Sequence, residues 1–194
     1  MSLVKREAPK FTAEAVVGKD FKQVSLDDYK GKWVILFFYP LDFTFVCPTE
    51  INAFSDSNEK FAELNAQLMC CSVDSKYTHL AWVNTPRKYG GLGDTNFPIL
   101  SDLTKQIGQD YGVLLEDAGV TLRGLFIIDP EGKVAYEVVH DLGIGRYVEE
   151  TLRVLKAIQA NYESGEVCPA NWAPGEDTMK GDPEGAKEYF SAHN

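Results

Sequence analysis

The chain has few cysteines, no run of basic residues and no long apolar run, and each of these absences argues against a class of protein. Its four cysteines, at positions 47, 70, 71 and 168, are too few in 194 residues for a dense disulfide framework. They contain no Cys-x-x-Cys pair, which disfavours a zinc site and a dithiol reductase, because both usually need two sulfurs within a turn of each other. We therefore expect neither a metal nor another cofactor.

Charge and hydropathy argue against nucleic-acid and membrane partners. The formal net charge of −10 makes the average surface repel a phosphate backbone or an anionic membrane. No apolar run approaches the ~20 residues of a membrane helix. Residues 1–5 lack the apolar core of a signal peptide, and residues 191–194 match no retention or peroxisomal signal. We expect a cytoplasmic protein.

The apolar pattern predicts an α/β domain followed by an arm. A hydrophobic content of 44% is ample for a core, and the strand, helix and strand that begin at residue 33 form a βαβ unit. Short strands are expected before it. Prolines and glycines interrupt the chain beyond Gly165, so we place a domain at residues 1–164 and an arm at residues 165–194. Strands are expected at residues 33–39, 67–73, 97–100, 123–128 and 133–140, and helices at residues 48–65, 102–111, 146–162 and 183–190.

Residues 39–50, YPLDFTFVCPTE, put one cysteine where a strand becomes a helix. Pro48 suits the first helical position, so Cys47 is expected at a helix N-terminus. The free amides and partial positive charge found there favour a thiolate over a thiol. Taken alone, Cys47 could equally be a small apolar residue that packs in the core.

Pro40, Thr44 and Cys47 form a Pro-x-x-x-Thr-x-x-Cys pattern that resembles the active-site motif of the peroxiredoxins. The similarity continues through Val167-Cys168-Pro169-Ala170 and along nearly the whole chain, so the chain most resembles the typical two-cysteine peroxiredoxins. This resemblance implies a thioredoxin-like fold with a mixed central sheet, helices on both faces, added N-terminal strands and an extended C-terminal arm. It also implies a thiol peroxidase that reduces hydrogen peroxide and small organic hydroperoxides.

The resemblance assigns two cysteines to the reaction cycle. Cys47 attacks the peroxide and becomes a sulfenic acid, which Cys168 of the partner subunit captures as a disulfide. The protein is then an obligate homodimer, assembles into decamers built from such dimers and takes electrons from thioredoxin or a similar protein. Without the resemblance, Cys168 could be an inert exposed cysteine.

Further side chains are expected around Cys47. A free thiol is about 3% ionised at pH 7, so full ionisation gains at most roughly 30-fold in rate, and donors to the peroxide oxygens must supply the rest. Thr44 can offer its hydroxyl. Arg123 begins a strand that the sequence predicts to be buried and matches the family's active-site arginine, although it could also be a solvated arginine at a strand edge. Glu50 could hold the Arg123 guanidinium, and Pro40 is expected to shield the pocket.

Two further motifs resemble those of peroxiredoxins that are easily overoxidised: Gly90-Gly91-Leu92-Gly93 and Tyr189-Phe190. In such relatives the two pack together over the active site and delay Cys168, which implies overoxidation of Cys47 to sulfinic acid and sulfiredoxin as a repair partner. Three glycines in four residues also predict unusual backbone angles or the close approach of another segment.

Other cysteines and the histidines receive no catalytic role. Cys70 and Cys71 are expected to pack inside a strand, the alternative being a strained vicinal pair. His79, His140 and His193 have no evident partner in the sequence. Two other functions remain open: a binding role, as a redox relay to client proteins or a holdase chaperone, and a structural thioredoxin-fold module without turnover.

Overall fold

The structure, a computed structural model, describes residues 2–193 and divides into two compact units, Met1–Val148 and Glu149–Asn194. The strands are β1 (Thr12–Val17), β2 (Asp20–Ser25), β3 (Trp33–Phe38), β4 (Ala66–Ser72), β5 (Ile99–Ser101), β6 (Leu114–Leu115), β7 (Val120–Thr121), β8 (Arg123–Ile128) and β9 (Val134–His140). The helices are α1 (Val46–Asp56), α2 (Asn58–Glu63), α3 (Lys76–Val83), α4 (Gln106–Asp110), α5 (Val148–Ser164) and α6 (Gly185–His193), with 3₁₀ turns at Leu26–Tyr29 and Arg87–Tyr89.

The first unit is built on a mixed sheet of seven strands in the order β2-β1-β5-β4-β3-β8-β9. The two central strands, β3 and β4, are parallel, and α1 and α2 connect them. Every residue of β3 is buried, which accounts for its continuous apolar run: both faces of a central strand are covered. The predicted βαβ unit, the N-terminal strands and the hairpin of β8 and β9 are confirmed.

Alternating side chains of β3 enter two layers of the core. Phe37 points to one face, where its ring stacks on Phe54 of α1 with centroids 4.4 Å apart. Phe38 points to the other face and contacts Tyr111, which follows α4, at 5.4 Å, and Phe126 of β8 at 5.9 Å. Successive strand residues face opposite sides, so one short strand holds α1 against one face of the sheet and the end of α4 against the other.

The predicted helix at residues 48–65 is wrong as a single element, because it consists of α1 and α2 with a break at Ser57. The Ser57 amide bonds to the carbonyl oxygens of both Ala53 and Phe54, so the last turn tightens before the chain restarts as α2. Asp56, Ser57 and Asn58 are three successive residues whose side chains compete with helical hydrogen bonds, which explains the position of the break. The hairpin of β6 and β7 was not predicted, since strands of two residues show no alternation.

Other predicted boundaries move by a few residues. The strands at 67–73 and 97–100 are Ala66–Ser72 and Ile99–Ser101, and the helices at 102–111, 146–162 and 183–190 are Gln106–Asp110, Val148–Ser164 and Gly185–His193. The largest change is at α4, where residues 102–105 form its approach: Asp102 accepts hydrogen bonds from the amides of Ile107 and Gly108 instead of lying inside the helix.

The second unit contains most of α5, an irregular segment and α6. The irregular segment is held by a two-way backbone bridge between Val167 and Met179, at 2.8 and 2.9 Å. Trp172 is buried, and its indole donates to the Glu176 carbonyl while its own carbonyl accepts from Arg153. Within residues 2–193, no helix combines the length and the apolar character needed to cross a membrane. The expected division between residues 164 and 165 stays a prediction.

Candidate active site

Cys47 is the second residue of α1 and its side chain is fully buried. The loop from Tyr39 to Phe45 brings the chain from the end of β3 to this helix, as the strand-to-helix pattern predicts. Phe45 is the N-cap of α1, and its side chain makes no capping hydrogen bond. Cys47 therefore lies in a first turn whose amides carry a partial positive charge that a side-chain cap at Phe45 does not offset.

Thr44 lies one helical turn before Cys47 and touches its sulfur. The Thr44 hydroxyl oxygen is 3.0 Å from Cys47 Sγ and 2.9 Å from the Leu41 carbonyl oxygen. A hydroxyl has one proton, so it donates to only one of these two acceptors at a time. When the sulfur is a thiolate, Thr44 can donate to it; when the sulfur is a thiol, Thr44 can accept from S–H and donate to Leu41.

Arg123 reaches the same sulfur from the first position of β8. Its Nη1 lies 3.3 Å from Cys47 Sγ and 2.8 Å from Glu50 Oε2, and its Nε donates to the Leu142 carbonyl oxygen at 2.8 Å. The side chain is only 3% exposed, so the solvated alternative for Arg123 is wrong. Glu50 lies beside it, where the sequence predicts a holding partner.

Arg146 is a second buried arginine at this site that the sequence analysis missed. Its Nε and Nη2 donate to the two oxygens of Glu50 at 2.7 and 2.9 Å, and its backbone amide donates to Glu50 Oε1 at 2.8 Å. Its Nη1 donates to the carbonyl oxygens of Phe38 and Gly124. The only sequence signal was an arginine at the first position of the predicted helix at residues 146–162, where a charged side chain is usually exposed.

The charges of these groups favour an anionic sulfur. Arg123 and Arg146 each carry one positive charge and Glu50 carries one negative charge, so the three buried groups sum to one positive charge. Charge that is removed from water must be compensated nearby, because the interior screens it poorly. A thiolate at Cys47 supplies that compensation, in addition to the contribution of the helix N-terminus.

The first half of the loop rests on a buried polar network. Asp42 accepts a hydrogen bond from the Tyr39 hydroxyl at 2.7 Å, and its other carboxylate oxygen lies 2.7 Å from His79 Nδ1. His79 Nε2 lies 3.1 Å from the Leu100 carbonyl oxygen, and the Asp42 amide donates to Asp74. The expectation that His79 lacks a partner is therefore wrong. The partners belong to other segments, which a sequence pattern does not bring together.

Pro40 is buried at the start of this loop, next to Tyr39, whose carbonyl oxygen accepts from the buried Thr121 hydroxyl at 2.9 Å. Farther along, Phe43 adopts a left-handed backbone conformation with φ of 54°. This conformation is uncommon for a bulky residue and persists only where the surroundings hold it. The loop that presents Thr44 is therefore held at several points.

Cys70 and Cys71 are fully buried in β4, as expected for packing residues. Adjacent strand residues point to opposite faces of a sheet, and both thiols are free, so they do not form a vicinal disulfide. Burial raises the pKa of each thiol well above its ordinary value, mainly because a thiolate there would lose its hydration.

Cys168 follows α5 in the second unit as a partly exposed free thiol. Its sulfur lies 3.5 Å from the Ala157 carbonyl oxygen. Burial raises the pKa of the Cys168 thiol, and the positive charge of Arg153 opposes this shift. The thiol is therefore mostly protonated at neutral pH.

The glycine-rich segment has the predicted unusual geometry. Gly90 and Gly93 have φ of 79° and 63°, and a Cβ on Gly91 would lie 1.9 Å from the Thr85 carbonyl oxygen. The Gly90 carbonyl oxygen accepts from the indole of Trp82 at 2.8 Å. In α6 the rings of Tyr189 and Phe190 meet edge to face at 6.2 Å. Contact between the two motifs stays a prediction. No group of three potential His, Cys, Asp or Glu metal ligands occurs in the described part of the chain.

A helix-terminal cysteine held by a hydroxyl and a buried arginine, on a mixed α/β sheet, defines a thiol-based redox enzyme. Comparisons with known proteins narrow this class. Residues 4–137 match the family model described as "AhpC/TSA family", and residues 157–192 match the model described as "C-terminal domain of 1-Cys peroxiredoxin". The chain belongs to the AhpC/TSA family, the peroxiredoxins, and has their thioredoxin-like fold.

Individual relatives resemble the chain over nearly its whole length. It is 60% identical over 187 residues to the mouse "Thioredoxin-dependent peroxide reductase, mitochondrial", covering 96% of this chain and 73% of the relative. It is 57% identical to bovine "Peroxiredoxin-2", covering 98% and 96% of the two chains. The crystal structure of the reduced two-cysteine peroxiredoxin of Plasmodium vivax is 50% identical, with a TM-score of 0.96, and covers 98% of this chain and 100% of that one.

Proposed function

We propose that the protein is a thioredoxin-dependent peroxidase that reduces hydrogen peroxide and small organic hydroperoxides, and so contributes to antioxidant defence and peroxide signalling. The observation that carries the proposal is the placement of Cys47 Sγ within reach of both Thr44 and Arg123, over buried charges that sum to one positive charge. The names of the relatives, which include "Thioredoxin-dependent peroxide reductase", point to the same activity.

The first step is attack of the Cys47 thiolate on one peroxide oxygen. An S–O bond forms and the O–O bond breaks, so Cys47 is oxidised to sulfenic acid and the peroxide is reduced. The leaving hydroxide or alkoxide takes a proton and departs as water or an alcohol. The Thr44 hydroxyl and the Arg123 guanidinium donate hydrogen bonds to the two oxygens, where they stabilise the charge that develops on the leaving oxygen. Pro40 keeps bulk water from this pocket.

The second step forms a disulfide between Cys47 and Cys168 of the partner subunit. The Cys168 thiolate attacks the sulfenic sulfur, the S–O bond breaks, and water leaves after protonation. A reduced dithiol protein of the thioredoxin type then supplies two electrons and two protons. This cycle requires a homodimer. We further propose assembly into decamers, and movement of the arm at residues 165–194 during disulfide formation.

Regulation by overoxidation rests on the glycine-rich segment and the Tyr189-Phe190 pair. If they pack together over the active site, the arm must open before Cys168 can react, and the sulfenic acid can meet a second peroxide. The resulting sulfinic acid requires sulfiredoxin for repair. The cytoplasmic location stays a prediction, because several relatives are named as mitochondrial proteins.

A non-reducing denaturing gel tests the proposal. After about one equivalent of hydrogen peroxide and alkylation of the remaining thiols, the wild type should migrate as a covalent dimer, as expected for thiolate attack followed by thiol capture. Cys47→Ser and Cys168→Ser should both remain monomeric, and only Cys168→Ser should react with a sulfenic acid probe.

The double variant Cys70→Ala, Cys71→Ala is the matched control, because it removes two thiols that are buried and free in the wild type. It should still form the covalent dimer. A wild type that stays monomeric while Cys47 remains open to alkylation would contradict the peroxidase assignment. The relay, holdase and structural alternatives would then become the leading ones.

A further inference from the structure

His79 has both ring nitrogens next to hydrogen-bond acceptors. Nε2 lies 3.1 Å from the Leu100 carbonyl oxygen, which can only accept, so this nitrogen carries a proton. Nδ1 lies 2.7 Å from Asp42 Oδ2, and this short contact also needs a proton between the two atoms. His79 and Asp42 therefore hold one proton more than a neutral imidazole and a carboxylate hold separately.

The surroundings of this pair on balance favour retention of that proton. Burial raises the pKa of Asp42, and the charge of Asp74, which accepts from the Asp42 amide, adds to the effect. His79 opposes this shift, and so does the Tyr39 hydroxyl, which donates to Asp42 Oδ1 at 2.7 Å and lies 3.4 Å from His79 Nδ1. Burial also raises the pKa of Tyr39 and of Cys70 in the adjacent strand, so both stay neutral.

The pair lies two residues from the group that touches the reactive sulfur. Asp42 anchors the loop, Phe43 turns it through a left-handed conformation, and Thr44 then places its hydroxyl 3.0 Å from Cys47 Sγ. Release of the Asp42 anchor frees the Phe43 turn to relax to an ordinary backbone conformation, which moves the Thr44 hydroxyl away from the sulfur.

We propose that His79 and Asp42 act as a proton-carrying clamp that positions Thr44 against Cys47, so that loss of the shared proton at alkaline pH lowers the reactivity of Cys47. The proposal rests on the peroxidase function proposed above. Without the proton, a ring nitrogen lone pair faces either the Asp42 carboxylate or the Leu100 carbonyl oxygen. Two buried acceptors then repel each other, and the anchor of the loop weakens.

Three variants separate positioning from general stability. His79→Leu removes both hydrogen bonds. His79→Asn restores an amide donor toward Asp42, and Asp42→Asn keeps the acceptor for Tyr39 and can donate to a neutral His79. The two Asn variants thus retain part of the hydrogen bonding and abolish the shared titration.

The first readout is the rate constant of Cys47 with hydrogen peroxide from about pH 6 to pH 9.5, measured on the full chain after its folded state is confirmed by circular dichroism. His79→Leu should lower the rate at neutral pH by about tenfold or more, because the donor is misplaced. His79→Asn should recover part of it. The wild type should lose rate relative to Asp42→Asn at alkaline pH; identical pH profiles would overturn the proposal.

A double-mutant cycle tests the route through Thr44. In a Thr44→Val background, His79→Leu should have little further effect, because the hydroxyl that the clamp positions is already absent. If His79→Leu lowers the rate constant by the same factor in the Thr44→Val background as in the wild type, His79 does not act through Thr44, and the positioning role is overturned.

A readout independent of peroxide separates this proposal from the peroxidase function. Nitrogen-15 NMR of labelled histidine, with the His79 signal assigned by its loss in His79→Asn, should show one alkaline transition that disappears in Asp42→Asn. The alkylation rate of Cys47 should show the same transition. If the wild type fails to react with peroxide but both transitions occur, the peroxidase proposal fails and the clamp stands; absence of the transitions overturns the clamp.

Discussion

The Arg146 guanidinium and the Glu50 carboxylate form a two-point ion pair, with Nε to Oε1 at 2.7 Å and Nη2 to Oε2 at 2.9 Å. Both side chains are 2% exposed. Glu50 uses its second oxygen for Arg123 as well, at 2.8 Å. Arg146 therefore orients the carboxylate that holds the arginine beside Cys47.

Replacement of Arg146 by Met should destabilise the protein by about 3–5 kcal/mol, because it leaves Glu50 with less compensation in the interior. Urea unfolding measures this change. The matched control is Arg87→Met, which breaks a pair with Asp56 whose side chains are 41% and 62% exposed; it should cost less than about 1 kcal/mol. Equal losses of unfolding free energy in Arg146→Met and Arg87→Met would show that burial of the ion pair does not determine the cost of breaking it.

Thr44→Val should lower the rate constant of Cys47 with peroxide by about 10²–10³-fold, because the isosteric side chain cannot donate to the sulfur or to the substrate. Thr44→Ser keeps a hydroxyl at the same position and should retain most of the rate. Stopped-flow or competition kinetics at neutral pH measure both variants. A Val variant as fast as the Ser variant would remove Thr44 from the mechanism.

Asp102 should make a pH-dependent contribution to stability. Burial raises the pKa of Asp102, although the amides of Gly108 and Ile107 oppose the shift. The folded state thus keeps a proton where the unfolded chain has lost it, so the stability contributed by Asp102 falls as the pH rises through the interval between the two pKa values and is constant above it.

Urea unfolding from about pH 3.5 to pH 7 tests this dependence through the difference between wild type and Asp102→Asn, because the Asn side chain does not titrate there. The free energy of unfolding of the wild type minus that of Asp102→Asn should fall as the pH rises and then level off. Asp110→Asn, an exposed change in the neighbouring helix, is the control. A wild-type advantage that stays constant over the whole range would refute the prediction.

Gly143→Ala should stabilise the protein by about 0.4–1 kcal/mol, because the unfolded chain loses freedom while the native loop has room. None of the described residues lies within 4 Å of a Cβ at this position, and its φ is outside the left-handed region. Gly91→Ala is the contrasting variant, since its Cβ would lie 1.9 Å from the Thr85 carbonyl oxygen; it should be destabilised. Thermal unfolding distinguishes the two signs.

Local parts of the site could be predicted from the sequence. Thr44 and Cys47 are three residues apart across the start of a helix, so their contact follows from local geometry alone. Strand β3 is continuously apolar, and β4 and β8 are mostly so, because both faces of these central strands are covered. The Thr44–Cys47 contact depends on residues that are close in the sequence, and the apolar strands depend on burial of successive residues along a strand.

The helix break at Ser57 and the hairpin of β6 and β7 could not be predicted in the same way. Helical spacing of apolar residues continues across the break, so the pattern alone does not reveal it. Each strand of the β6–β7 hairpin has only two residues, too few to show the alternation of apolar and polar side chains that predicts a strand.

The amino-acid sequence by itself determined the family, the reactive cysteine at a helix start and the order of the main strands, because these are recorded in local motifs and periodic burial. Only the tertiary structure decided that Arg146 reaches Glu50 and that His79 reaches Asp42. The members of the first pair are separated by 96 positions in the sequence, and those of the second by 37. A charged side chain is buried only when a partner compensates it, and that partner is chosen by chain topology. The sheet brings those distant segments together, and the site depends on the pairs that result.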